Sequence, residues 1–146
     1  MTSSRDPGVA VPGGARILRG QCRCGAIRYT VADEFRYALN CHCSDCRLAT
    51  GSAFKPFAGI ARGKMLFAAP PDGFLVVGHP PGNHDLRCRA CGSLLASILQ
   101  DETMAHVTLG TLVDAPTIRP TAHILVADKA PWFTITDSLP QHPGLP

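Results

Sequence analysis

The chain has 146 residues, a net charge of +3 and 45% hydrophobic residues, which suits one domain with a single modest core and leaves no room for two of ordinary size. A mean hydropathy of +0.08, with no apolar run near the ~20 residues of a membrane span, argues against a membrane role. The basic residues are scattered singly, so no clustered surface for nucleic acid is expected.

Residues 1–14 are rich in Gly, Pro and Ser without periodicity and read as a flexible arm. They lack the basic-then-apolar order of a secretory signal, so a reducing cytoplasm is the expected compartment. A single domain is expected over 15–140, with 141–146 as a frayed tail. Within it, short alternating or β-branched segments are separated by Gly, Pro and Asp: Arg16 to Gly20, Ile27 to Val31, Arg36 to Asn40, Phe54 to Ile60, Lys64 to Ala68, Phe74 to Val77, Leu94 to Leu99, His106 to Leu109 and Ala122 to Ala127. Such spacing predicts a mainly β architecture. One short helix is predicted from Ser44 to Thr50, with Ser44 as its cap, Asp45 in its first turn and Gly51 at its end. The stretch from Pro70 to Pro81 reads as a loop around a short strand.

Seven cysteines stand in three clusters: Cys22-Arg-Cys24, Cys41-His-Cys43-Ser-Asp-Cys46 and Cys88-Arg-Ala-Cys91. In a reducing compartment, and with an odd count, these are metal ligands rather than disulfides. Alternate residues of a strand share a face, so a C-x-C on extended chain delivers two thiolates from one side and turns its middle residue away. Arg23 and His42 are therefore poor ligands, and His42 is better placed beside substrate. C-x-x-C needs a tight turn, which Gly92 after Cys91 permits.

Spacing alone leaves more than one partition. Cys43/Cys46 can pair with Cys88/Cys91 in a zinc-ribbon manner, or Cys22, Cys24, Cys88 and Cys91 can close one site while Cys41, Cys43 and Cys46 form another. The second is preferred, since distant segments then staple a small domain. Four thiolates close a structural zinc site, whereas three leave one position open. A three-thiolate zinc is a weak Lewis acid suited to holding a substrate thiol deprotonated. His79, His84, His106 and His123 are the histidines available to fill that position instead.

The pattern resembles the glutathione-dependent formaldehyde-activating enzyme (GFA) family. The resemblance rests on Gly20-Gln-Cys22-Arg-Cys24-Gly-Ala-Ile-Arg-Tyr29, Cys41-His-Cys43-Ser-Asp-Cys46-Arg-Leu-Ala-Thr-Gly51-Ser-Ala-Phe54 and Cys88-Arg-Ala-Cys91-Gly-Ser, with Gly110-Thr-Leu, Ala122-His-Ile and Lys129-Ala-Pro-Trp132 further on. It implies a small β-tent fold of short antiparallel sheets stapled by zinc, with little helix. It also implies two Zn2+ ions per chain, a structural one on Cys22, Cys24, Cys88 and Cys91 and a reactive one on Cys41, Cys43 and Cys46. The implied activity is a carbon–sulfur lyase reaction, in which glutathione and formaldehyde combine to S-hydroxymethylglutathione.

Around the reactive cluster, Arg47 is a candidate for binding a carboxylate of a peptide-like thiol. His42 or Asp45 is a candidate for moving a proton at the aldehyde oxygen, although for Asp45 the helix-start role is favoured. Trp132 is expected in core packing, and His106 and His123 are expected as hydrogen-bonded strand residues. Thiols add to formaldehyde unaided, so a non-catalytic carrier of a thiol or its adduct is a rival reading. A structural zinc module that contacts another protein is a second.

Overall fold

The computed structural model describes residues 16–146, so the arm read over 1–14 lies outside the described residues. In chain order the strands are β1 (Ile17–Gln21), β2 (Arg28–Ala32), β3 (Tyr37–Cys41), β4 (Lys55–Ala61), β5 (Met65–Ala68), β6 (Phe74–Gly78), β7 (His84–Cys88), β8 (Leu94–Leu99), β9 (Met104–Thr108) and β10 (His123–Ile124), with one α-helix, α1 (Ser44–Thr50), between β3 and β4. The first, second and fifth form a three-stranded sheet, and the others a seven-stranded sheet in the order β10-β3-β4-β9-β8-β7-β6. Every pairing is antiparallel except that of β10 with β3. The fold is thus mainly β with little helix.

The larger sheet has two unlike faces, because opposite residues in a pair share a side and neighbours along a strand do not. On one face a large residue faces an alanine across each pair: Ile60 against Ala105, Val107 against Ala96, Ile98 against Ala105. All are buried, and they pack with Leu18, Tyr29, Val31 and Met65 of the smaller sheet into one core. Each such Leu, Ile or Val contributes roughly 1.5–3 kcal/mol by leaving water. The other face carries Tyr37, Cys41, Lys55, Phe57, His106, Ser97 and Asp85, and it builds the site.

Gly59 lets that second face close up. It lies between Tyr37 and His106 in the register, and a Cβ there would sit 2.3 Å from Cζ of Tyr37. The ring therefore lies over bare backbone, and the Tyr37 hydroxyl meets Nε2 of His106 at 2.6 Å.

Several expectations are corrected. Strand β7 was not expected, because its buried positions are held by His84, Leu86 and Cys88, two of which do not read as apolar. Strand β10 is shorter than Ala122 to Ala127, since Leu125 turns left-handed at φ 54° and Val126–Asp128 coil into a 3-10 turn. The tail is not frayed: Leu125 N–H donates to Gly144 O at 2.9 Å, Val126 N–H to His142 O at 3.0 Å and His142 N–H to His123 O at 2.9 Å. Trp132 is 70% exposed, while its neighbour Phe133 packs instead, 5.5 Å from the Phe54 ring.

Candidate metal centres

The structure brings Cys22, Cys24, Cys88 and Cys91 together, with all four sulfurs within 4.8 Å of one another. Cys22 follows β1 and Cys88 ends β7, so a segment near the start of the described chain meets one more than sixty residues later. The first C-x-C is not extended, as alternation suggested: Gly25 N–H donates to Cys22 O at 3.1 Å, closing a turn. At the second, Gly92 takes φ 80° and donates to Cys88 O at 2.7 Å, a left-handed position that favours glycine. The sulfurs accept hydrogen bonds from their surroundings. Ile27 N–H donates to Cys22 Sγ at 3.3 Å, and the Ser93 hydroxyl lies 3.2 Å from Cys91 Sγ; Ser93 above all holds the Cys91 thiol down to about 5.

The second group is Cys41, Cys43 and Cys46, also within 4.8 Å of one another. Cys41 ends β3, Cys43 is the N-cap of α1 and Cys46 lies in its first turn. The expected cap, Ser44, is replaced by Cys43, whose Sγ accepts from Cys46 N–H at 3.2 Å. Gly51 ends the helix at φ 64°. Among the described residues no histidine or carboxylate joins these three sulfurs at the same distance. Cys41 loses its proton most readily, at about 6, because Cys46 hydrogen-bonds to it against the opposing effect of burial, with Cys43 adding to that pull and the Lys55 ammonium adding least. Cys46 is pushed upward for the same reason, as the donor to Cys41.

Cys41, Asp45 and Cys46 open onto a cleft of about 380 Å³ whose wall includes Lys55, His84, Asp85, Ser97 and His106. His42 and Arg47 do not line it. His42 is fully buried, with Nε2 2.7 Å from Nδ1 of His123, and His123 Nε2 lies 2.9 Å from an Asp137 carboxylate oxygen. That carboxylate fixes the proton on His123 Nε2, so His42 Nε2–H donates to His123 and its own Nδ1 is left as an acceptor. Nδ1 has no partner. Burial lowers the His42 pKa, and the neighbouring His123 and Lys129 add to this. Arg47 has a buried Nε with no hydrogen-bond partner among the described residues.

A family model described as glutathione-dependent formaldehyde-activating enzyme matches residues 17–128. The chain belongs to this family. Among curated proteins none matches. Of solved structures, a crystal structure of a Rhodobacter sphaeroides protein, a structural-genomics target, is similar at 18% identity and a TM-score of 0.53, covering 70% of this chain and 92% of that one. At that identity the likeness concerns the fold alone.

Both cysteine groups of this GFA chain have the donors to hold a metal ion, and all-thiolate sets suit zinc. Sulfurs at 2.3 Å from a tetrahedral zinc stand about 3.8 Å apart; the 3.6 Å from Cys22 to Cys24 and 3.8 Å from Cys24 to Cys88 match that edge. All seven cysteines are free. Sequence reasoning missed two residues that tie the centres to the fold. Arg87 donates to Gly92 O in the four-cysteine knuckle and to Ala49 O in α1, so one side chain braces both groups. Lys55 is 4% exposed beside the three-cysteine group. Its position opposite Cys41 in the register was readable once the strand was placed, but its burial was not.

Proposed function

We propose that this GFA-family protein is a zinc-dependent carbon–sulfur lyase, which promotes the reversible addition of glutathione or a similar small thiol to formaldehyde or a related small aldehyde. The observation that carries this reading is the asymmetry of the two cysteine groups. One is a closed set of four, and the other is a set of three at the wall of a cleft large enough for a small aldehyde and the thiol end of its partner.

In this reading Cys22, Cys24, Cys88 and Cys91 hold a structural zinc, and Cys41, Cys43 and Cys46 are the catalytic ligands of a second. Zinc on three thiolates supplies an open position that keeps a thiol deprotonated near neutral pH. The chain does the rest. Helix α1 fixes Cys43 and Cys46 through its capping bond, and β3 fixes Cys41. Phe57 and Ile124, with Val77, Ile98, Leu99, Leu125 and Leu145, form the apolar part of the cleft wall and limit water there. Arg47, whose buried Nε has no partner among the described residues, is assigned to a carboxylate of the thiol that extends past the cleft, whereas His42, fully buried and off the cleft wall, is not placed against the substrate. A reducing cytoplasm is the compartment in which such thiols persist.

The test is the exchange rate of formaldehyde with its glutathione adduct, followed by NMR with and without protein. Acceleration by the protein supports the lyase; equal rates with measurable glutathione binding replace it with a carrier.

A further inference from the structure

Lys55 is the one lysine or arginine among the residues lining the cleft, and it is only 4% exposed. Opposite residues of an antiparallel pair project on the same side with Cβ atoms about 5 Å apart, so Lys55 stands next to Cys41. An ammonium has three N–H donors. Among the described residues the Lys55 ammonium has one hydrogen-bond acceptor, the neutral Ser97 hydroxyl at 2.8 Å, with the Phe57 ring centroid 6.0 Å away. Ser97 in turn donates to Asp85 Oδ1 at 2.6 Å, which fixes the hydroxyl's lone pair toward the lysine. A buried cation with two free donors is costly unless something completes its shell.

We propose that Lys55 is a catalytic residue whose free N–H groups hold the oxygen of the aldehyde, stabilising the negative charge that grows there as the carbon–sulfur bond forms. This rests on the lyase reading above. The charges in the cleft choose this role over anchoring a carboxylate. Asp45 and Asp85 both line it, and with the thiolates they oppose a ligand that arrives fully ionised. A neutral carbonyl escapes that repulsion and becomes negative only during the reaction, when a preorganised donor counts most. The sulfur lone pair forms the S–C bond and the C=O π pair moves onto oxygen. The thiol's proton leaves to solvent and the alkoxide takes a proton from solvent, so Lys55 begins and ends as an ammonium.

The test uses the full chain with two zinc equivalents. Loss of one oxyanion donor lowers kcat by about 10²-fold, so K55M is expected to lose that much of the acceleration with thiol affinity unchanged, and K55R to restore part of it. Binding supplies a readout independent of turnover. The wild type should prefer S-(2-hydroxyethyl)glutathione over S-propylglutathione by about tenfold, since a hydrogen bond to a charged donor is at stake, and K55M should lose that preference. Should K55M not fold, Ser97→Ala, which keeps the ammonium and removes its anchor, should weaken both readouts. Unchanged acceleration and preference in these variants would overturn the role. Loss of affinity for glutathione but not for 2-mercaptoethanol would also overturn it, in favour of a carboxylate anchor. A wild type that binds thiol without accelerating exchange would overturn the lyase reading itself, and this role with it.

Discussion

The two cysteine groups lie in one domain and are built in opposite ways. The set of four joins a turn after β1 to a knuckle after β7, so its sulfurs meet only when the fold is complete. The set of three comes from six consecutive residues, and a strand end followed by a helix cap already brings them together. In the first, Ile27 N–H donates to Cys22, the Ser93 hydroxyl meets Cys91, and Cys22 and Cys88 are buried. In the second, Cys41 and Cys46 face a cleft with a cation beside them. A centre that reaches across the chain suits holding the fold, and a centre made locally is free to do chemistry, because losing it costs the fold little.

That contrast predicts a graded series of effects. The largest is for Cys88→Ser: structural zinc contributes about 10–16 kcal/mol against a typical whole-domain stability of about 5–15 kcal/mol. Thermal unfolding should lose its cooperative transition, and survival of a cooperative fold would break the comparison. Next, Cys43→Ala should keep the fold and reduce bound zinc from about two to one equivalent by elemental analysis. Its stability should fall by about 1 kcal/mol in urea, from the lost helix cap. The smallest effect sharpens the picture of the cleft face. Burial and the Lys55 charge lower His106 to about 4, below its ordinary value, so the unfolded chain takes up a proton near pH 6.5 while the folded protein resists. Stability is therefore complete above pH 6.5 and falls on acidification. Between pH 7 and 5 the wild type should lose about 1–2 kcal/mol more than His106→Gln, once partial exposure is allowed for. The difference between the two isolates His106 from thiolate protonation, which both share.

Much of this was legible from the chain. Alternation located most strands to within a residue, and helix α1 was read to its ends because Gly51 and the first-turn Asp45 are unambiguous signals. Strand β7 escaped because alternation is recognised by apolar residues, and here a histidine and a cysteine occupy the inward positions. Residue type points to Ser44 as the cap of α1, whereas the Cys43 sulfur takes that place. Lys55 shows the deeper limit. Its acceptor, Ser97, lies 42 residues away, so only the register of four strands reveals that a lysine in a β segment points into a cleft beside the Cys41 thiol. The exposure of Trp132 has a similar origin, since which of two adjacent aromatics packs depends on the turn that carries them.

The four-cysteine knot also changes what a cut in the backbone would do. With a metal ion at Cys22, Cys24, Cys88 and Cys91, the chain between Cys24 and Cys88, 64 positions apart, forms a noose knotted by one ion. Cleaving that noose, for instance in the Pro-rich loop before β7, would leave two fragments that travel together until a chelator opens the knot.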